Sequence, residues 1–142
     1  MWSHYASGLR GFRVEFYREL LEETLEEEPT IKSINYEASP PSIDIVKILR
    51  EGASKPDEAI SEITNILFTK HIDWKYESEI RLGVFSSGLR SFDFKAIHRV
   101  VIGEKMPEGE KLMLRETIRK NAPHVDIRTA RASRTAYTID TV

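Results

Sequence analysis

The sequence predicts an α+β fold, with a mostly antiparallel sheet and about four helices packed against it. Apolar residues alternate with polar ones in some segments and recur at helical spacing in others. Several of the predicted strands also follow one another without a helix between them, which favours a mostly antiparallel sheet over a doubly wound parallel one. The length of 142 residues suits one domain, so residues 1–142 are expected to form a single domain.

In the first half of the chain, Phe12, Val14 and Phe16 alternate with Arg13 and Glu15, which predicts a half-buried strand over residues 11–17. Helices are indicated by leucines at helical spacing, by serines that can cap a helix N-terminus and by prolines in the first turn. By these criteria, the remaining elements of this half are expected at residues 18–28 (helix), 31–36 (strand), 42–52 (helix) and 54–68 (helix).

The second half of the chain contains most of the predicted strands. The expected elements are strands at residues 74–85 and 96–102, a helix at 107–120, and strands at 125–129 and 136–139.

Composition excludes several classes of protein. The chain has no Cys, so disulfides and thiolate chemistry are excluded. Lys and Arg number 21 against 23 Asp and Glu, and a net charge of −2 makes nucleic acid an unexpected partner. Without a long apolar run or a signal peptide, a cytoplasmic protein with no membrane partner is expected. The His, Asp and Glu residues do not occur at the spacings typical of metal sites, so neither a metal nor a cofactor is expected.

The segment 70–82 is the most informative for chemistry. On a continuous strand, alternate side chains share a face. One face would then carry Trp74, Tyr76, Ile80 and Leu82, and the other Lys75, Glu77, Glu79 and Arg81.

Neighbouring carboxylates on one strand face lie roughly 7 Å apart. Such a pair raises the pKa of one member, so Glu77 and Glu79 are candidate catalytic acids or bases. Arg81 is a candidate clamp for phosphate or carboxylate, with Trp74 as a ligand-binding neighbour. The alternative is a solvent-facing strand whose alternating charges serve solubility.

A second candidate cluster lies at the start of the chain. His4 is a candidate catalytic proton donor, and Trp2 and Tyr5 are candidate ligand-binding aromatics. The alternative is that the two aromatic side chains anchor the first element onto the core.

These same residues resemble a bacterial and phage family called domain of unknown function 2971. The segment Met1–Ala6 (Met-Trp-Ser-His-Tyr-Ala), followed by the strand ending in Glu15-Phe16, resembles its central signature. The family's second signature is a lysine followed by W-x-x-E-x-E-W-R and a hydrophobic residue, and residues 70–82 resemble it. The matching residues are Lys70, Trp74, Glu77, Glu79, Ile80, Arg81 and Leu82.

Two looser features, Val100–Gly103 and Tyr137–Ile139, extend the resemblance over nearly the whole chain. Ile80 departs from the family pattern, which has Trp there. Family members also carry an upstream segment with an N-D-P-F-D-like motif that precedes the first signature, so the resemblance implies a short form. The resemblance implies no established activity.

The leading hypothesis is a cytoplasmic bacterial protein of unknown function that binds a small anionic or nucleotide-like ligand with enzyme-like polar residues. One alternative is a non-catalytic interaction module of a mobile element. A second is an NAD-dependent ADP-ribosyltransferase-like protein, pairing His4 with Glu77 or Glu79. Whether the chain is an enzyme is left open.

A homodimer is also expected. A short form would expose a strand edge or an apolar face, and such surfaces tend to be covered. The predicted interface is two-fold symmetric and buries Trp2 or the strand near residues 12–16.

Overall fold

A computed structural model describes residues 2, 5–51, 54–84 and 86–142. The strands are β1 (Phe12–Phe16), β2 (Thr30–Ser33), β3 (Asn35–Glu37), β4 (Thr69–His71), β5 (Ile80–Gly83), β6 (Ile97–Gly103), β7 (Asp126–Ala132) and β8 (Ile139–Thr141). The α-helices are α1 (Arg18–Thr24), α2 (Ile45–Glu51), α3 (Pro56–Leu67) and α4 (Glu108–Asn121), with short 3₁₀ helices at Ile72–Glu77 and Phe94–Ala96. These elements confirm the α+β class.

The chain divides into two compact units. The terminal unit comprises Met1–Glu28 and Ser87–Val142, and the central unit comprises Pro29–Ser86. The single domain expected over residues 1–142 stays a prediction.

The terminal unit contains a four-stranded sheet in the order β1-β6-β7-β8. Strand β1 is antiparallel to β6, and β8 is antiparallel to β7. Strands β6 and β7 are parallel because α4 connects them, and such a helical crossover returns the chain in the same direction. The sheet is therefore mixed, with two of its three strand pairs antiparallel and one parallel.

The core of the terminal unit lies on both faces of β6. Val100 and Ile102 pack on one face with Met106, while the fully buried Val101 packs with Leu9 on the other. Helix α4 covers the first of these faces through Leu114 and Ile118 and their neighbours. Gly103 is required where β6 ends, because a Cβ atom there would lie 2.0 Å from the carbonyl oxygen of Leu9.

The central unit contains two small sheets and helices α2 and α3. Strand β2 pairs antiparallel with β5, and β3 pairs parallel with β4. The single strand expected over residues 31–36 is therefore two strands, which separate at the buried Ile34 and take different partners.

The strand predicted over residues 74–85 is wrong in its first half, where the chain forms the 3₁₀ helix Ile72–Glu77. The side chain of His71 accepts a hydrogen bond from the backbone N–H of Asp73 (3.4 Å), which caps this turn. Local capping thus outweighs the β propensity of Trp74 and Tyr76. Only β5 lies within the predicted range, and residue 85 falls outside the described residues.

Other boundaries differ by a few residues. Helix α1 ends at Thr24, before the glutamate run that was expected to continue it. The last strand begins at Ile139 rather than at residue 136. Across the described ranges, no helix is long and apolar enough to cross a membrane.

Candidate functional site

The central unit brings together four charged side chains from three elements, and we call them the Lys70 cluster: Lys70, Glu77, Glu79 and Arg81. Lys70 lies on β4, and Glu77 ends the 3₁₀ helix. Glu79 follows this helix, and Arg81 lies on β5. Between the two glutamates, Ser78 adopts a left-handed conformation (φ 46°, ψ 47°). The left-handed backbone at Ser78 changes the chain direction between the two glutamates, and both carboxylates reach Lys70.

Lys70 is the shared cation of the two carboxylates. Its ammonium donates to Oε2 of Glu77 and to Oε2 of Glu79, the latter at 3.1 Å. The Glu77 side chain is only 6% exposed and that of Lys70 is 18% exposed, so this ion pair is largely removed from water. Arg81 also donates to Glu79, and the charges of the four residues therefore balance within the cluster.

Three further contacts tie the Lys70 cluster to the surrounding backbone and rings. Arg81 donates to the carbonyl oxygen of Leu67 at the end of α3. The backbone N–H of Glu79 donates to the hydroxyl of Tyr36 on β3 (2.8 Å). The Lys70 ammonium lies 4.9 Å from the ring centroid of Trp74, within range of a cation–π interaction. The cluster thus joins β3, β4, β5 and α3.

The electrostatics of Glu79 oppose the acid–base role that the sequence suggested. The hydrogen bond from Arg81 holds the pKa of the Glu79 carboxyl below its usual range, and Lys70 acts in the same direction. Partial burial acts in the opposite direction but does not prevail. Glu79 therefore stays ionised near neutral pH, which suits an ion-pair partner better than a general acid.

The predicted site residues fall in both compact units. In the central unit, Lys70 contacts Glu77, Glu79 and Trp74, and Arg81 contacts Glu79. Trp74 and Tyr76 were predicted to share a strand face with residues of β5. They do not, because both lie in the 3₁₀ helix Ile72–Glu77. The rings of Trp74 and Tyr76 instead lie 6.0 Å apart.

In the terminal unit, Trp2 and Tyr5 line a small cavity of about 100 Å³ together with Phe12 and Arg13. The Arg13 guanidinium lies 5.8 Å from the Trp2 ring centroid. His4 falls outside the described residues. The catalytic assignments of His4, Glu77 and Glu79 stay predictions.

The central unit also contains a larger cavity, of about 330 Å³, which sequence reasoning missed. We call it the β2–α3 cavity, after the two elements that supply most of its lining. Its lining residues are Lys32, Ser33, Asn35, Ser61, Glu62, Thr64, Asn65 and Phe68. They combine one cation, one carboxylate, several neutral polar side chains and one aromatic ring.

The roles of Lys70 and Tyr36 were missed as well. Lys70 belongs to the second family signature, so its presence there was the available signal. Tyr36 gave none, because it lies 43 positions from its hydrogen-bond partner Glu79. In the parts of the chain described by the structure, no three His, Cys, Asp or Glu side chains are grouped as a metal site would require.

Fold and site together define a small α+β protein with a charge-balanced cluster and a cavity lined by charged, polar and aromatic residues in the same unit. A family model described as "Protein of unknown function (DUF2971)" matches residues 1–82, and the chain belongs to this family. The match includes both signatures and ends before Val100–Gly103 and Tyr137–Ile139. No curated protein and no solved structure gives a significant match.

Proposed function

We propose that this protein binds a small anionic ligand of the nucleotide or sugar-phosphate type in the β2–α3 cavity. The observation that carries the proposal is the composition of the cavity lining. Its volume of about 330 Å³ falls at the lower end of the range of about 300–1,000 Å³ for small-molecule sites.

The lining offers different chemistry to different parts of such a ligand. The Lys32 ammonium is a suitable partner for a phosphate group. Glu62 can accept hydrogen bonds from sugar hydroxyls, as acidic residues do in dinucleotide sites. Phe68 is 9% exposed and supplies an apolar surface, and its ring centroid lies 5.8 Å from the Lys32 ammonium. A ligand with one anionic group and several hydroxyls matches this combination.

The Lys70 cluster supports the walls of this cavity. Arg81 is the register partner of Lys32 in the β2–β5 pair, and Arg81 also donates to Leu67, next to Phe68. The backbone N–H of Asn35 donates to the carbonyl oxygen of Phe68 (2.8 Å), which closes β3 onto the end of α3. We infer that Glu77, Glu79 and Arg81 act as positioning residues, because their charges are balanced within the cluster.

Binding can be tested by titration calorimetry with adenosine monophosphate, ribose 5-phosphate and inorganic phosphate. We expect Lys32→Met to weaken binding of all three by at least tenfold. The matched control Lys75→Met, which changes an exposed lysine of the same unit, should leave affinity unchanged.

The hydroxyl contact is tested separately on helix α3. Glu62→Gln should weaken binding of ribose 5-phosphate and leave binding of inorganic phosphate unchanged, with Glu58→Gln as the control one turn earlier. A bound ligand at 100 times its Kd should also raise the free energy of unfolding by about 2.7 kcal/mol. Absence of binding at millimolar concentrations of all three compounds would overturn the proposal in favour of a non-catalytic interaction module.

A further inference from the structure

We propose that β1 pairs antiparallel with β1 of a second copy of this chain, around a two-fold axis at Val14. This inference concerns the terminal unit and does not rest on the ligand site. Strand β1 lies at one end of the sheet order β1-β6-β7-β8, so its pairing within the described residues is with β6 alone. An edge strand of this kind is a template for pairing with another chain.

The outer edge of β1 has regular geometry. The carbonyl oxygen of Gly11 accepts from the N–H of Gly103, and the N–H of Tyr17 donates to the carbonyl oxygen of Ala96. The direction of the backbone N–H and C=O groups alternates along a strand. Those of the odd-numbered residues of β1 therefore point toward β6, and those of the even-numbered residues point toward the outer edge. The register shift near Glu15 adds a residue to β6, because Glu15 pairs with Arg99 and Phe16 pairs with Ile97. Strand β1 therefore has no extra residue to interrupt its outer edge.

The sequence of β1, Phe-Arg-Val-Glu-Phe, is complementary to itself in the antiparallel direction. With Val14 opposite Val14, Phe12 of one copy lies opposite Phe16 of the other, and Arg13 lies opposite Glu15. Arg13 and Glu15 would form non-hydrogen-bonded pairs, the positions at which cross-strand side chains come closest. Opposite charges would thus meet twice across the axis, in addition to the Arg13–Glu15 ion pair within each copy, and this complementarity favours a second copy as the partner.

Exposure of the apolar residues agrees with this arrangement. Phe12 is 50% exposed and Phe16 is 40% exposed, although both lie on a strand of the main sheet. Pairing would cover these rings and extend the four-stranded sheet across the two-fold axis into the sheet of the second copy.

The test is sedimentation equilibrium of the whole chain at micromolar concentrations. We expect a dimer of twice the 16.4 kDa chain mass. Arg13→Glu and Glu15→Arg each place like charges opposite one another, so each variant alone should dimerise at least tenfold more weakly. An equimolar mixture of the two variants should recover the dimer, because position 13 of either variant then faces an opposite charge at position 15 of the other.

Recovery in the mixture separates a pairing effect from simple misfolding, since two misfolded variants would not restore each other. Phe12→Lys is a second variant, at an exposed site, and should also weaken the dimer. A chain that stays monomeric throughout the concentration range would overturn the proposal. A dimer unaffected by either charge change would do so as well.

Discussion

Replacing Lys70 with Met removes the shared cation of the Lys70 cluster while keeping most of the side-chain volume. Two charge-assisted hydrogen bonds are lost, and bonds to charged groups contribute about 1.5–3 kcal/mol each. Arg81 still neutralises Glu79, so the main cost is the Glu77 carboxylate, which is only 6% exposed. We expect the central unit to lose about 2–3 kcal/mol, less than the 3–5 kcal/mol of a fully buried pair because Lys70 is partly exposed.

The assay is urea unfolding followed by the fluorescence of Trp74. The chain has two tryptophans, so a Trp2→Phe background leaves Trp74 as the sole reporter and confines the signal to the central unit. Lys75→Met is the matched control, and an exposed change of this kind should stay within about 0.5 kcal/mol. If Lys70→Met costs no more than this control, the Lys70 cluster does not stabilise the unit and our reasoning fails.

Two further predictions concern pH and backbone packing. The pKa of Glu79 lies below that of a free glutamate, about 4.3, so its stabilisation is complete above that pH and is lost as the pH falls through the lower folded value. In acid titrations followed by fluorescence, Glu79→Gln should therefore show a shallower loss of stability below about pH 4.3 than the original chain. In the terminal unit, Gly103→Ala should destabilise by at least about 2 kcal/mol in thermal melts, because its Cβ would meet the Leu9 carbonyl oxygen. Gly109→Ala on α4 is the control, because a Cβ atom at Gly109 would meet no atom within 4 Å, and this change should stabilise the protein by about 0.5–1 kcal/mol. Equal effects of the two substitutions on stability would contradict the close packing at Gly103.

Local patterns predicted the elements that tertiary contacts do not override. The alternating sequence of β1 and the prolines and first-turn acidic residues of α3 and α4 were sufficient to predict these elements, because each signal is local to its own segment. The segment 72–79 could not be predicted in this way. Its aromatic residues favour a strand, whereas the cap from His71 and the left-handed Ser78 produce a turn. The partly parallel sheet was missed because the crossover through α4 was not recognised as joining neighbouring strands.

The candidate site was predicted only where its residues are close in sequence. Glu77, Glu79 and Arg81 were singled out together, but their grouping was explained by an alternation that the backbone does not follow. The β2–α3 cavity was missed because its residues come from two segments that lie far apart in the sequence, and no local periodicity connects them. Sequence spacing identified the charged residues, and only the fold showed that they neutralise one another.

Charge balance in the Lys70 cluster leads to a prediction that joins stability with binding. Lys32 and Arg81 are register partners in the β2–β5 pair, so their side chains leave the same face from Cβ atoms about 5 Å apart. Glu79 neutralises Arg81, which leaves Lys32 as the cation of the cavity. Glu79→Gln removes that neutralisation, so it should tighten binding of inorganic phosphate severalfold while it destabilises the central unit. Calorimetry and urea unfolding on the same variant would measure both effects. If stability falls but phosphate affinity stays the same, Arg81 does not act on the ligand bound at Lys32, and the link between cluster and cavity is refuted.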